Sequence, residues 1–345
     1  SQSDAPANAL YANYSAQAAE RSTAPAVIVG SFTKNGVECR ECSFGRFAWK
    51  VNSYQRGLAA LGLRAGDRVL MLVPPGIEFL ALSYAVMGRG AVPVYLDPGM
   101  GRENLKRCII DAAPDALIGT RKAQIVWLMK RTLCPQLRFS VVADRLALFG
   151  FKNLRFLGSF SGAALAPAAP EPVCLIAFTS GGTGTPKGVI YTNDMVRAQL
   201  EIFRAVFRIE AGKKDLPLLP VFALFSLASG VCSVIAPIDP AKPIEIDPGQ
   251  VAALVDKLKI NYSFGSPILW GKIAEFCRNH RIFLPSLDGV FVAGAPVSRE
   301  VLRQIENVAI NAEAATPYGA TEALPVTYVS SKEIFSSPEA AAKTG

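Results

Sequence analysis

Short apolar runs alternate with segments of helical pattern along this chain, and the alternation limits the folds open to it. In the first part, Val69–Val73, Ala91–Leu96 and Ala116–Gly119 have the character of buried strands. Between them, Glu78–Met87 and Asn104–Asp111 have the apolar spacing that predicts helices. Strands and helices that alternate at this interval predict an α/β fold with a largely parallel, doubly wound sheet.

A second α/β region is predicted after residues 158–172, where Ala, Pro, Gly and Ser are so frequent that a linker is expected. The predicted strands of this region are Leu175–Phe178, Tyr262–Gly265 and Gly289–Ala293. Its predicted helices are Asp194–Phe207, Val251–Leu258, Ile268–Cys277 and Ser298–Val308, the last capped by its serine. We therefore expect two doubly wound subdomains, one over residues 1–160 and one over residues 161–345.

Composition excludes several classes of protein. The chain has 345 residues, half of them apolar, which is enough for a substantial core. Its formal net charge of +8 suits anionic small molecules such as nucleotides or carboxylates, but it equally suits no particular ligand. The Lys and Arg residues are scattered and form no basic run interleaved with aromatic residues, so nucleic-acid binding is not expected.

The cysteines and the histidine argue against two kinds of site. Seven cysteines are widely spaced, and only Cys39 and Cys42 form a C-x-x-C pair, so a four-ligand zinc site is not expected. Buried thiols in a reducing, cytoplasmic compartment are the expectation instead. His280 is the one histidine and lies where a helix is predicted to end, which leaves a Ser-His-Asp or Cys-His hydrolase without a well-placed base.

One apolar stretch is long enough to be weighed as a membrane span. Residues 216–238 contain no charged residue. However, Pro217, Pro220 and Pro237 interrupt the stretch, and hydroxyl residues lie between them. Such interruptions are poorly tolerated against lipid, so we expect buried core or an apolar wall for a ligand, and no transmembrane span.

The segment Thr179–Gly188 carries the sharpest chemical signal. It follows an apolar strand directly and is rich in glycine and hydroxyl residues, with Lys187 near its end. Glycines let the backbone approach a polyphosphate closely, and turn N–H groups can form an anion-binding nest. The alternative is a flexible surface loop. The segment is not a Walker P-loop, because Pro186 precedes the lysine and Gly188 follows it.

Two further segments have weaker signals. Thr316–Glu322 brings together an aromatic residue that could stack on a base, a hydroxyl that could donate to phosphate and a carboxylate that could bind Mg²⁺. It could also be an ordinary turn. Ala293–Pro296 follows a predicted strand, and its glycine could serve only to turn the chain.

Taken in this order, the segments resemble the adenylate-forming superfamily of acyl-CoA synthetases, peptide-synthetase adenylation domains and luciferases. Upstream, Gly66–Val69, Val73–Phe79 and Gly90–Pro98 are similar to N-terminal signatures of that family. The chain differs from the usual phosphate loop at Gly182, where the family has Ser or Thr, and this difference removes one hydroxyl.

The resemblance implies a set of site residues. The phosphate-binding and nucleotide-binding residues would be Thr179, Ser180, Gly181, Gly182, Thr183, Gly184, Lys187, Gly294, Ala295, Pro296, Tyr318, Gly319 and Thr321. Lys187, Thr321 and Glu322 would be catalytic, and Glu322 would hold the metal ion. The acyl substrate would contact Phe222, Phe225, Gly265 and Ala320.

A narrower likeness implies the reaction. Asp97–Gly101, Leu219–Phe225 and Thr316–Pro325 are similar to the β-lactone synthetases of bacterial long-chain olefin biosynthesis. The implied enzyme uses ATP and Mg²⁺ to convert a long-chain 3-hydroxy acid into its acyl-AMP, releasing pyrophosphate, and then closes a β-lactone. A fatty acyl-CoA ligase, which would use CoA, stays open as an alternative. A nucleotide-binding module without turnover and a membrane-integral role are the alternatives of other classes.

The later signatures of the family are not found in these 345 residues: a Gly-Asp ribose-binding segment, a hinge and a C-terminal lysine. We therefore expect the chain to be the large N-terminal part of such an enzyme, without the small C-terminal domain. Its partner would be a long-chain carboxylic acid. A homodimer or an assembly with pathway enzymes is left open.

Overall fold

The computed structural model describes residues 8–34, 36–129, 131–144, 150–162, 165, 172–179, 186–238, 242, 245–320 and 322–336. Within these ranges the chain has the predicted α/β fold, and it divides into two compact units. The first unit comprises Ser1–Thr23 and Ser43–Gln199, and the second comprises Ala24–Cys42 and Leu200–Gly345. This division differs from the predicted boundary at residue 160, because strands after that residue still pair within the sheet of the first unit.

The helices and strands are numbered along the chain. The N-terminal part contains α1 (Ala9–Glu20), β1 (Pro25–Thr33), β2 (Gly36–Ser43), α2 (Phe44–Ala60), β3 (Arg68–Leu72), α3 (Ile77–Gly88), β4 (Val92–Leu96), α4 (Arg102–Ala112), β5 (Ala116–Gly119), α5 (Arg121–Met129), β6 (Phe139–Val142), β7 (Lys152–Asn153), α6 (Leu154–Gly158), β8 (Val173–Thr179) and β9 (Lys187–Thr192). It is followed by α7 (Asn193–Ala205), β10 (Lys214–Pro217), α8 (Phe222–Ala228), β11 (Cys232–Ile235), α9 (Pro248–Leu258), β12 (Tyr262–Gly265), α10 (Pro267–Asn279), β13 (Gly289–Val292), α11 (Arg299–Val308), β14 (Glu313–Ala320), β15 (Ala323–Ser330) and α12 (Ser331–Ser336).

Each unit is built around one sheet. The seven-stranded sheet of the first unit has the order β7-β6-β5-β3-β4-β8-β9, and only the β8–β9 pair is antiparallel among its described pairs. The eight-stranded sheet of the second unit has the order β15-β14-β13-β12-β10-β11-β1-β2. The neighbouring strands β14, β13, β12, β10, β11 and β1 pair parallel to one another, and β15 pairs antiparallel with β14. The predicted largely parallel sheets are therefore confirmed.

Helix α3 shows how the first unit is held together. Every residue of this helix except Glu78 is buried, because it is apolar on all sides. A helix of that character is stable only when other elements surround it. Glu78 is the one charged residue in the helix, and its carboxylate lies 2.8 Å from the Lys50 ammonium of α2. The ion pair gives the partly buried charge a partner where α2 and α3 pack together.

Three helices of the second unit begin at side-chain caps. Asp247, Ser266 and Ser298 each accept a hydrogen bond from a backbone N–H in the first turn of α9, α10 and α11. Each cap satisfies an N–H group that has no partner within the helix. The predicted serine cap of α11 is therefore confirmed. His280 lies at the C-terminal cap of α10, as predicted, and its Nδ1 is 2.9 Å from the carbonyl oxygen of Phe276.

The uncharged stretch 216–238 forms the end of β10, helix α8 and strand β11. Residues 223–235 within it are buried, which confirms the predicted core position. No helix in the described part of the chain combines the length and the apolar character needed to cross a membrane. All seven cysteines are described, none forms a disulfide, and Cys39 alone among them is exposed.

One carboxylate lies inside the core of the second unit. Asp215 in β10 is 8% exposed, and its Oδ2 accepts a hydrogen bond of 2.6 Å from the hydroxyl of Ser226 in α8. Burial raises the pKa of Asp215 to about 7, because a charge is poorly solvated there, while the bond from Ser226 opposes the rise. The carboxyl group is therefore protonated in the folded protein at pH values where it would be ionised in the unfolded chain.

This raised pKa predicts how stability depends on pH. The folded pKa of Asp215 is about 7 and the ordinary value is 3.8, so its contribution to stability is fully present below pH 3.8 and lost as the pH rises through 7. In Asp215→Asn this loss is absent, so the variant gains stability relative to wild type, on the order of 4 kcal/mol, between pH 4 and pH 8. Urea unfolding at both pH values measures the difference. An equal change in both proteins would contradict the buried, protonated carboxyl group.

Candidate active site

The predicted phosphate loop joins two antiparallel strands of the first unit. Strand β8 ends at Thr179 and β9 begins at Lys187, and the register pairs these two residues directly. The Lys187 side chain is exposed. Gly188 pairs with Phe178, and a Cβ atom at Gly188 would lie 2.7 Å from the Phe178 ring. A side chain at position 188, where the chain leaves the loop, would therefore require the buried Phe178 ring to move.

Six of the predicted site residues lie outside the described residues. They are Ser180, Gly181, Gly182, Thr183 and Gly184 of the loop, together with Thr321. Their predicted contacts with phosphate stay predictions. Thr179 and Lys187, at the two ends of the loop, are described.

In the second unit, several predicted residues gather at one edge of the sheet. Gly265 is the last residue of β12, and its carbonyl oxygen accepts a 3.0 Å hydrogen bond from the N–H of Ala293, which follows β13. Gly294 comes next with φ of +91°, a backbone conformation that favours glycine. Tyr318 extends from β14, the neighbour of β13. Because these strands are parallel, their carboxyl ends lie on one edge, which is where ligands bind in open α/β sheets.

The pairing of β14 with β15 contains a bulge beside the predicted adenine-stacking residue, and the extra residues of the bulge are in β15. Tyr318 pairs with Thr327 and Ala320 pairs with Ala323, so Gly319 has no opposite partner in the register. A Cβ atom at Gly319 would lie 2.2 Å from the carbonyl oxygen of Ala323. The Tyr318 ring is 72% exposed, so it can stack on a planar ligand.

The fit of Mg²⁺ can be judged from the donor groups. Glu322 lies in the turn between β14 and β15, and its side chain is exposed. Mg²⁺ is usually held by one or two carboxylates together with substrate phosphates. One accessible carboxylate beside a candidate nucleotide site fits that donor set. Lys187 and Glu322 belong to different units.

Two of the residues predicted to contact an acyl chain, Phe222 and Phe225, lie in an aromatic cluster of the second unit. The ring of Phe222 stacks on Phe264 of β12 with centroids 4.2 Å apart. The ring of Phe225 stacks on Phe203 of α7 at 5.5 Å. Phe264 immediately precedes Gly265, so the cluster borders the carboxyl edge described above. We call Phe203, Phe222, Phe225 and Phe264 the phenylalanine cluster.

Gly265 leaves no room for a side chain. A Cβ atom there would lie 2.9 Å from Leu218 and 3.0 Å from the indole of Trp270, which is fully buried. The sequence analysis did not identify Phe264 and Trp270 as neighbours of Gly265. It also did not identify Phe203 as a member of the phenylalanine cluster. The signal for Phe203 was available, because Phe203 and Phe207 are four residues apart on a predicted helix and contact each other.

A family model described as "AMP-binding enzyme" matches residues 14–344 of the chain. The chain belongs to this family. The match extends through both compact units, and it includes the hairpin of β8 and β9, the segment after β13 and strand β14.

Curated relatives within the AMP-binding family include two olefin beta-lactone synthetases. The protein of Stenotrophomonas maltophilia (strain K279a) is 38% identical over 281 residues, which cover 81% of this chain and 50% of the relative. That of Xanthomonas campestris pv. campestris is 35% identical, covering 85% and 52%. A long-chain-fatty-acid–CoA ligase of Thermus thermophilus is 26% identical, covering 84% and 53%. The chain thus spans about half the length of the curated relatives it matches.

Solved structures support the fold. The N-terminal domain of FACL13 from Mycobacterium tuberculosis has a TM-score of 0.78 and 20% identity, covering 95% of this chain and 80% of that one. At this identity the likeness shows the fold of an N-terminal domain of the AMP-binding family.

A pocket of about 330 Å³ lies elsewhere in the second unit of this AMP-binding chain. Its lining includes Tyr262, Gly289 and Glu313, the first residues of β12, β13 and β14, so it opens at the amino edge of the sheet. The Tyr328 hydroxyl donates a 2.6 Å hydrogen bond to Glu313 there, and burial raises the pKa of Tyr328. The pocket contains none of the predicted site residues, which lie at the carboxyl edge.

The close approach at Gly319 predicts a large effect of a single methyl group. In Gly319→Ala the Cβ atom collides with backbone, so the free energy of unfolding should fall by about 1–3 kcal/mol. Gly271→Ala in α10 is the matched control, because its Cβ atom would meet only the Val301 side chain at 3.6 Å. We expect the control to gain about 0.5–1 kcal/mol from its better helix propensity. Urea unfolding measures both. Equal stability of the two variants would mean that the bulge has room for a side chain.

Proposed function

We propose that the full-length protein activates a long-chain 3-hydroxy acid with ATP as its acyl-AMP and then closes it to a β-lactone. The observation that carries the proposal is the shared edge of the second unit, where an exposed tyrosine, a glycine turn and the phenylalanine cluster border one another. The 38% and 35% identity to olefin beta-lactone synthetases supports the choice of reaction.

The proposal gives each predicted nucleotide-binding residue a role. Tyr318 would stack on the adenine, with Gly294, Ala295 and Pro296 along its edge, and Thr321 would contact the α-phosphate. Lys187 and the loop of residues 179–184 would hold the β- and γ-phosphates, since glycine-rich turns offer N–H groups to anions. Bound by Glu322 and the phosphates, Mg²⁺ would neutralise charge on the departing pyrophosphate.

The acyl side of the proposal uses the apolar groups. Phe222 and Phe225 would line the alkyl chain, and Gly265 and Ala320 would lie at the carboxyl end of the acid. Burying an alkyl chain against aromatic side chains is favourable by about 25 cal/mol per Å² of apolar surface removed from water. An uncharged wall therefore suits a long-chain acid better than a short polar one.

The first step is displacement at phosphorus. A carboxylate oxygen of the acid attacks the α-phosphorus of ATP, the bond from that phosphorus to the bridging oxygen breaks, and pyrophosphate leaves with the electron pair. The chain's part is positioning of the two reactants and stabilisation of the negative charge that accumulates on the phosphates. Lys187 supplies positive charge for that purpose in this proposal.

The second step decides the product. The 3-hydroxyl oxygen of the acyl-AMP attacks the acyl carbon, AMP leaves, and the hydroxyl proton is released, which closes a four-membered lactone. The relative from Thermus thermophilus, a long-chain-fatty-acid–CoA ligase, supports a second candidate in which the thiol of CoA attacks instead.

Mass spectrometry of the products distinguishes these reactions. The full-length protein is incubated with ATP, Mg²⁺ and a long-chain 3-hydroxy acid, without CoA. A product lighter than the acid by one water, with AMP and pyrophosphate, is the expected result. Acyl-AMP that becomes a thioester only after CoA is added would support the ligase. ATP binding without acid-dependent pyrophosphate release would indicate a nucleotide-binding module without turnover.

Two substitutions test the assigned charges. Lys187→Ala should raise the KM for ATP or lower kcat, and Glu322→Ala should weaken Mg²⁺-dependent turnover. Each removes a charge-assisted contact of about 1.5–3 kcal/mol, so kcat/KM should fall roughly tenfold to a hundredfold. Steady-state pyrophosphate release by the full-length protein measures both.

Matched controls come from the same units. Lys152→Ala removes an exposed lysine from β7, at the opposite edge of the sheet from β9, and Glu275→Ala removes an exposed carboxylate from α10. Neither should change kcat/KM by more than about twofold. Full activity in both site variants, or equal losses in the controls, would mean that the nucleotide site lies elsewhere.

A further inference from the structure

Helix α8 cannot hold its own position. It has seven residues, Phe222–Ala228, and no side chain caps its N-terminus. A helix this short is not stable in isolation, because the conformational entropy lost in forming the first turn is not offset by the hydrogen bonds of later turns. Its position must therefore come from contacts with the rest of the second unit.

A buried polar contact joins α8 to Asp215 of β10. Ser226 is 3% exposed, and its hydroxyl donates the 2.6 Å hydrogen bond to Asp215 Oδ2 in the centre of the sheet. The same hydroxyl lies 3.1 Å from the carbonyl oxygen of Phe222, one turn earlier in the helix. A hydrogen bond inside a low-dielectric core is electrostatically stronger than the same bond in water.

This bond lies next to the phenylalanine cluster. Ser226 directly follows Phe225 and lies one helical turn after Phe222. A shift of the helix that moves the Ser226 hydroxyl therefore also moves both rings. The rings stack on Phe203 and Phe264 rather than on charged groups, and stacked rings can slide at little cost. A hydrogen bond is directional, so this bond fixes the position of α8 on the sheet, which the ring contacts alone do not fix.

We propose that Asp215 and Ser226 are positioning residues that hold Phe222 and Phe225 in place for the long-chain acid. The inference rests on the proposed function, because it assigns these two rings to the acyl chain. Neither positioning residue touches the reacting atoms. The bond between them ties strand β10 to helix α8 and sets how deeply an alkyl chain can enter.

A purely structural role makes a different prediction. If the bond only satisfied a buried hydroxyl, its loss would lower stability and leave the affinity for acid unchanged relative to that for ATP. A positioning role changes the KM for the acid and leaves the KM for ATP unchanged, because the nucleotide residues are on other elements. The ratio of the two constants therefore separates the two roles.

The test uses Ser226→Ala, Asp215→Asn and the double variant of the full-length protein. Ser226→Ala should raise the KM for a long-chain 3-hydroxy acid roughly tenfold, with the KM for ATP unchanged. Asp215→Asn keeps the shape and one acceptor oxygen, so its KM for the acid should rise less. The double variant should be no worse than Ser226→Ala, because both changes remove one interaction.

Ser263→Ala is the matched control. Ser263 is fully buried in the same sheet, and its hydroxyl donates a 2.7 Å hydrogen bond to the carbonyl oxygen of Leu216 rather than to a group linked to α8. Its KM values for acid and ATP should both stay within about twofold of wild type.

Hydrogen–deuterium exchange makes the outcome independent of turnover. The amides of α8 should exchange faster in Ser226→Ala and Asp215→Asn than in wild type or Ser263→Ala. Unchanged exchange in α8, or an additive double variant, or parallel rises in both KM values, would overturn the inference. If wild type releases no acid-dependent pyrophosphate but the exchange pattern is as expected, the proposed function fails while the tie between β10 and α8 stands.

Discussion

Parallel pairing of β10, β12, β13 and β14 is the constraint on which the candidate site of the second unit depends. In a parallel sheet the strand ends lie side by side, so residues far apart in the chain reach one edge. The bond from Ala293 to Gly265 joins the segment after β13 to the end of β12 at that edge. Tyr318 lies near the same end of β14, beside the bulge in the β14–β15 pairing, and α8 packs the ring of Phe222 against the end of β12. None of these residues is a neighbour of another in sequence, and the sheet alone makes them a group.

Much of this arrangement was predictable from sequence because it depends on local patterns. Apolar runs such as Ala116–Gly119 and Tyr262–Gly265 are strands with the predicted bounds, since a fully buried strand must be apolar along its length. The cap at Ser298 was predictable because it acts on the three residues that follow it. The family resemblance was carried by short motifs, which likewise need no knowledge of long-range contacts.

Other features depend on contacts between distant residues and were not predictable in this way. Asp215 reads as one polar residue among many, and only the pairing of β10 with its neighbours places it in the core. Its partner Ser226 is part of an uncharged stretch in which a serine suggested only that the stretch does not span a membrane. The predicted boundary at residue 160 was drawn at a change in composition, whereas compact units are set by strand pairing. Gly319 was predicted only as a glycine within a motif. A side chain at this position would collide with the carbonyl group of Ala323 across the bulge, and this contact explains the glycine.

The close packing of Trp270 beside Gly265 has a consequence for the fluorescence of the protein. Its indole is completely buried, while Trp49 in the first unit is 59% exposed. A buried indole emits at shorter wavelength than one in water, so Trp270 contributes to the blue edge of the emission spectrum, together with the partly buried Trp127. Trp270 is therefore a natural fluorophore in van der Waals reach of Gly265, and its emission can report changes around Gly265 without an added label.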